Sequence, residues 1–195
     1  TIDAKYIVMA NSSTEVNHEK MILGTNSSRV IREAKCPVLT VNCTDGKRIR
    51  TSINKIVLPL DFTQETRQKV SKAIEIAKHY NSVINLVVVL LTNETVIVNQ
   101  LKNQLLQVEN YIKKSGVKVT AEILHGMKGK DRIADIIVNY VENRNADLIM
   151  IMTQHENEWF EYFIGSNARE ILRKSPVPVI SIVPKELGET SMMSF

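Results

Sequence analysis

Two short runs in this chain have residue types suited to opening a helix. Gly165-Ser166-Asn167 opens one amphipathic stretch, and Gly24-Thr25-Asn26 opens another. A helix that begins this way leaves its first amides without intrahelical partners. Its dipole adds partial positive charge at the same end, so an anion is favoured there. The structural reading of the same residues is a tight helix start. Asp61 is the second candidate. It follows Lys55-Ile-Val-Leu-Pro-Leu60, an apolar run that reads as a buried parallel strand. Its carboxylate then stands at the carboxyl edge of a sheet, where open α/β folds take ligands. Its structural reading is a turn or N-cap carboxylate ahead of Thr63.

Other reactive types do not assemble into a catalytic set. His18, His79 and His125 are scattered along the chain and form no acid–base pair. His155, Glu156 and Glu158 lie together, but the spacing is not H-E-x-x-H and no second histidine is near, so no metal site is expected. No G-x-S-x-G turn is present. The chain is expected not to be an enzyme. Four of its ten aromatics, Trp159, Phe160, Tyr162 and Phe163, fall in one loop. They either plug a pocket or meet a partner, or they simply pack the loop on the last helix.

The elements that position these residues alternate. After Lys55–Leu60 comes a helix from Thr63, a strand Val83–Leu91, a helix Val96–Ser115 stopped by Gly116, and a strand Val117–Leu124. A helix from Asp131, a strand Asp147–Met152, a helix Ser166–Lys174 and a strand Val177–Val183 complete the order. Helical crossovers between strands dictate a parallel sheet with helices on both faces. The end of this pattern occurs twice. Gly24 through Pro37-Val38-Leu39-Thr40-Val41 matches Gly165 through Pro178-Val179-Ile180-Ser181-Ile182 at a constant offset of 141 residues (165 − 24). Only the end of the pattern precedes residue 42, with a strand expected at Lys5–Met9. The expected organisation is therefore a βαβ remnant of a first domain at 1–42, a linker at 43–52, a complete second domain at 53–184 and a tail at 185–195. The remnant should expose Ile7, Val8, Ile22, Leu23 and Ile31, and so need a companion fragment or another copy to cover it.

Composition narrows the class. Twenty-five basic and 21 acidic residues leave a net charge of +4, too balanced to point to nucleic acid. The basic cluster Lys47, Arg48, Arg50 and Lys55 reads as a solvated connector. No apolar run reaches the roughly 18 residues that span a bilayer. Cys36 and Cys43 stand in no paired or metal spacing, and no secretory leader is seen, so a reducing cytoplasm is expected.

These landmarks resemble the universal stress protein family. The resemblance is carried by Val57-Leu-Pro-Leu-Asp61-Phe-Thr, by Gly126, by Ala146-Asp147-Leu-Ile and by Ile164-Gly-Ser-Asn-Ala-Arg-Glu-Ile-Leu-Arg-Lys-Ser-Pro-Val-Pro-Val179. It implies a five-stranded, mainly parallel sheet of the Rossmann-like, adenine nucleotide alpha hydrolase-like type, preceded by the βαβ remnant. Members that bind ATP carry G-x2-G-x9-G-[ST] before the last helix. Here the first two glycine positions hold Met152 and His155, whose side chains occupy space that phosphates need. The complete domain is thus expected to act without ATP or any other cofactor, as a stress-response module working through dimerisation and partner binding. The alternative is an adenine-nucleotide-binding protein, possibly a slow hydrolase. In it the resemblance would place Asp61 at the ribose, the backbone near Val88 at the base, Gly126 in the pocket lining, and Gly165, Ser166 and Asn167 on the phosphates. Final strands of family members pair antiparallel across a two-fold axis. Residues 37–41 and 177–183 are expected to form that pairing, as a dimer contact or within one chain.

Overall fold

The computed structural model describes residues 3–11, 23–42, 52–62, 66–153 and 164–184. Their elements are β1 (Ile7–Asn11), α1 (Thr25–Glu33), β2 (Val38–Asn42), β3 (Lys55–Pro59), α2 (Thr66–Tyr80) and β4 (Val83–Leu90). They continue as α3 (Thr95–Lys114), β5 (Val119–His125), α4 (Ile133–Asn143), β6 (Leu148–Met152), α5 (Ser166–Lys174) and β7 (Val179–Ile182).

All seven strands share one sheet, in the order β1-β2-β7-β6-β3-β4-β5. The sheet has seven strands rather than the expected five, because the expected antiparallel pairing of the two terminal strands forms within the chain. β2 pairs antiparallel with β7, and every other neighbour is parallel. The reason is the edge. A five-stranded sheet ending on Val-Ile-Ser-Ile would present a β-branched strand with unpaired backbone groups, and β2 supplies the partner within the same chain. Both strands are thereby interior, β2 between β1 and β7, and β7 between β2 and β6.

The core lies in two layers set by the period of two along each strand. In β3, Ile56 and Leu58 face α2 and α3, while Val57 faces α1, α4 and α5. In β6, Leu148, Met150 and Met152 face the first layer, and Ile149 and Ile151 the second. The amphipathic stripe of α3 buries Leu105, Val108 and Ile112 in the first layer. Leu23 and Ile31, expected to be exposed, are buried in the second layer with Leu172 and Val179, because α1 folds over the joint sheet. Val8 is exposed as expected. Ile22 lies outside the described residues.

Local signals account for the helix ends. Gly116 follows α3 with φ +82°, and Asn81 and Asn145 take positive φ after α2 and α4, the conformation that ends helices most readily at Gly and Asn. Asp131 does not begin α4, which starts at Ile133. Its carboxylate instead accepts from the Met127 amide at 2.7 Å and closes the preceding turn. The strand expected at Lys5–Met9 runs two residues later, in register with β2 from Ile7↔Val38 to Asn11↔Asn42. Asp147 is buried and accepts from the Asn54 and Lys55 amides, each at 2.9 Å, which fixes the start of β3 beside β6.

Candidate functional site

The ladder between β3 and β6 is only two residue pairs long, Ile56↔Leu148 and Val57↔Ile149. Beyond it the strands diverge. The chain leaves β3 toward α2 on one face of the sheet and enters α5 on the other, so a crevice opens at the point where the winding reverses. Such a point is where doubly wound sheets hold ligands. The crevice encloses about 230 Å³ and is lined by Pro59, Asp61, Lys69, Met152 and the residues from Gly165 to Ala168, with apolar walls from Val87, Val89 and Ile137.

Asp61 stands on the rim with 40% of its side chain exposed. The next residue, Phe62, adopts φ 54°, a left-handed conformation that disfavours a side chain with a Cβ by about 1–2 kcal/mol. This sharp turn sends Phe62 onto the α2–α3 core and leaves Asp61 at the crevice. Thr66 donates to Asp61 Oδ1 at 3.2 Å. The expected helix start at Thr63 lies outside the described residues.

Across the crevice, Gly165 precedes α5 with φ −53° and ψ 151°. Gly24 precedes α1 with nearly the same angles, −59° and 149°, so the sequence repeat is also a conformational one. Neither helix has a side-chain cap among the described residues. The first backbone bond of α5 runs from the Arg169 amide to the Gly165 carbonyl at 2.9 Å. The amides of Ser166, Asn167 and Ala168 have no partner among the described residues, and all three residues line the crevice. Three orphan donors and a helix dipole at one cavity suit an anion.

One residue of the site went unnoticed in the sequence. Lys69 is 3% exposed, and its ammonium donates to the Pro59 carbonyl at 2.6 Å, with Asp61 Oδ1 at 3.8 Å. The Pro59 carbonyl is free to accept because β3 has already parted from β6 there. Burial pushes the Lys69 amine below its ordinary 10.5, and the Asp61 charge opposes that shift. The signal was present in the spacing. Position 69 falls on the stripe formed by Thr66, Val70, Ala73, Ile76 and Ala77, all of which are buried.

Of the six sequence candidates, Asp61, Gly165, Ser166 and Asn167 meet at the crevice, while Val88 and Gly126 do not line it. Val88 points into the α2–α3 core, and its neighbours Val87 and Val89 reach the cavity. Gly126 has a packing role. A Cβ there would lie 2.5 Å from Ile136 Cδ1 and 2.8 Å from Leu91 Cδ2. Met152 is buried in the α2–α3 layer yet also forms part of the crevice wall. His155, Glu156, Glu158 and the aromatic loop lie outside the described residues.

A mainly parallel sheet, helices on both faces and a crevice at the reversal define a doubly wound α/β protein, with the crevice at the place where such folds take ligands. Residues 52–182 match the model of the universal stress protein family, and the chain belongs to that family. A universal stress protein of Methanocaldococcus jannaschii is 24% identical over 142 residues, covering 66% of this chain and 81% of that protein. The crystal structure of a universal stress protein from Archaeoglobus fulgidus DSM 4304 superposes with TM-score 0.69 at 20% identity over 92% of this chain. The present chain spans 61% of that structure's length. Another Archaeoglobus fulgidus universal stress protein, solved in complex with dAMP, has TM-score 0.55 at 22% identity, covering 71% of this chain and 100% of its own. Among the described residues no helix is long and apolar enough to cross a membrane.

Proposed function

We propose that the chain is a non-catalytic stress-response module whose crevice holds a nucleotide with a short phosphate chain, in preference to ATP. The observation that carries this reading is the convergence of Asp61 and the three orphan amides of α5 on one cavity. A carboxylate at the rim can accept from ribose hydroxyls, and the amides can donate to one phosphate. Met152 stands in the wall where ATP-binding members carry the first glycine, which leaves room for fewer phosphates. The dAMP complex of the Archaeoglobus fulgidus relative lends support. The test is calorimetry of the chain with AMP, ADP and ATP, together with chromatography of ATP after prolonged incubation. Binding should be tightest for AMP, and ATP should survive. Absence of heat from every nucleotide at millimolar concentration would end this reading.

A second reading is self-association. Tyr6 and the face of β1 and β2 carrying Val8, Leu39 and Val41 bound, with Ile76 and Tyr80 of α2, an open groove of about 670 Å³. Val8 is 68% exposed, and β1 is an edge strand of the sheet. Exposed apolar surface beside an open strand edge favours a second copy of the same chain as its cover. The backbone edges of Val38–Thr40 and Val179–Ser181 are engaged within the chain, so the part of these strands in such a contact would come from half-buried side chains such as Leu39. Light scattering of Val8→Lys against the parent chain tests this. Equal masses for the two proteins would remove this interface.

A further inference from the structure

Among the described residues the buried amine of Lys69 has more donors than acceptors. An ammonium carries three N–H groups. Among the described residues one finds an acceptor, the Pro59 carbonyl, and the nearest carboxylate oxygen, on Asp61, lies at 3.8 Å, beyond hydrogen-bond range. A single bond to a neutral carbonyl is a poor exchange for the hydration of a charged group, and buried cations are ordinarily paired and fully bonded. An apolar residue on the same stripe of α2 would fill the space without that penalty. Lys69 also opens onto the cavity that receives the unpartnered amides of Ser166, Asn167 and Ala168. The two deficits share one volume, and a single anionic group between them would satisfy both.

We propose that Lys69 is the residue that selects a phosphorylated ligand in this crevice, gripping one phosphate jointly with the first turn of α5 and so discriminating a nucleoside monophosphate from its nucleoside. This rests on the reading of the crevice as a nucleotide site and adds the group that sets its ligand class. Asp61 then has two tasks. It partly balances Lys69 when the crevice is empty, and it accepts from sugar hydroxyls when the crevice is filled. Each further phosphate on the ligand adds charge that Lys69 does not neutralise, which favours one phosphate over three.

The experiment compares AMP with adenosine on the parent chain, on Lys69→Met and on Lys69→Arg. Loss of a hydrogen bond to a charged group weakens binding by about tenfold to a hundredfold. AMP should lose that much on Lys69→Met and recover part of it on Lys69→Arg, while adenosine binds all three alike. Equal AMP affinity for the parent and a folded Lys69→Met would overturn the proposal and leave the nucleotide reading standing. A measurement on the parent chain guards against a misfolded variant. The lysine Cε–Hε resonance absent from the Lys69→Arg spectrum is followed against pH with and without inorganic phosphate. Its titration midpoint should rise with phosphate, since a bound anion favours the ammonium form. If phosphate raises the midpoint but no nucleotide binds, the anion site stands and the nucleotide reading fails. An unmoved midpoint with both phosphate and AMP overturns the proposal.

Discussion

Leu39 and Ile180 lie directly opposite each other in the antiparallel β2–β7 ladder, and they are the same position of the sequence repeat, 141 residues apart. The flanking pairs, Val38↔Ser181 and Thr40↔Val179, exchange equivalent residues in the same way. A local two-fold axis therefore passes between Leu39 and Ile180. Asn42 strengthens the junction from one side, donating to the Leu172 and Ser175 carbonyls at 3.0 and 2.9 Å. Ile180 is 5% exposed and sits between the crevice-bearing part of the sheet and the β1–β2 part.

Replacing Ile180 with Lys should therefore act on folding itself. A charge placed there has no partner, and the expected loss is about 3 kcal/mol or more. Ile97 on α3 is 37% exposed, and Ile97→Lys should stay within about 0.5 kcal/mol of the parent. Urea denaturation of the two variants makes the comparison. Similar midpoints for both would mean that the β2–β7 junction contributes little.

The same junction contains a local deficit. Thr40 Oγ1 and Ser181 Oγ, again equivalent positions, are buried without a hydrogen-bond partner among the described residues. Removing an unsatisfied buried hydroxyl relieves its desolvation penalty. Ser181→Ala is expected to raise stability by about 1 kcal/mol, read as a higher melting temperature. A lower one would mean that the hydroxyl has a partner in solution.

Gly126 separates packing from ligand contact. Its substitution by Ala drives a methyl against Ile136 and Leu91, and overpacking of this kind costs about 1–3 kcal/mol. AMP affinity per folded molecule should not change, because Gly126 does not line the crevice. Calorimetry below the melting point, with the folded fraction set by circular dichroism, checks both halves. Weakened binding at unchanged stability would restore Gly126 to the site.

Two groups give opposite pH dependences. Hydrogen bonds from Arg173, at 3.2 and 2.8 Å, hold the Glu170 carboxyl down to about 2 from its ordinary 4.5, against a smaller opposing effect of burial. Its stabilising contribution is complete above pH 4.5 and is lost as the pH falls toward 2. Glu170→Gln should flatten that acid limb slightly, since the pair is partly exposed. For Lys69 the sense reverses. The folded state binds fewer protons than the unfolded one once the pH exceeds the lowered amine value, so this group makes stability rise with pH up to about 10.5. Lys69→Met should remove that rise. Denaturation midpoints measured across pH test both. A parent and Glu170→Gln with superimposable acid limbs would contradict the first.

The elements of this protein were legible because each is written locally. Apolar runs such as Lys55–Pro59 and Leu148–Met152 read as buried strands between helices, and a glycine or asparagine at 81, 116 and 145 follows α2, α3 and α4 where a left-handed residue is tolerated. Local order also determined that Asp61 and Gly165 stand at strand-end and helix-start positions on the ligand edge. Which face a residue meets was not legible in β4. Val-Ile-Asn-Leu-Val-Val-Val-Leu has no clean alternation, so nothing in it separates Val88 from Val87 and Val89 until helices cover the two sides. The pairing of the two terminal strands was legible from the repeat and the resemblance, and tertiary structure decided that it closes within one chain, so that seven strands share one sheet. Lys69 makes the point at the site itself. Along the chain it is one charged residue on a helix. Only the parting of β3 from β6 frees the Pro59 carbonyl, draws the amine inward and sets it in the cavity that also receives the first amides of α5.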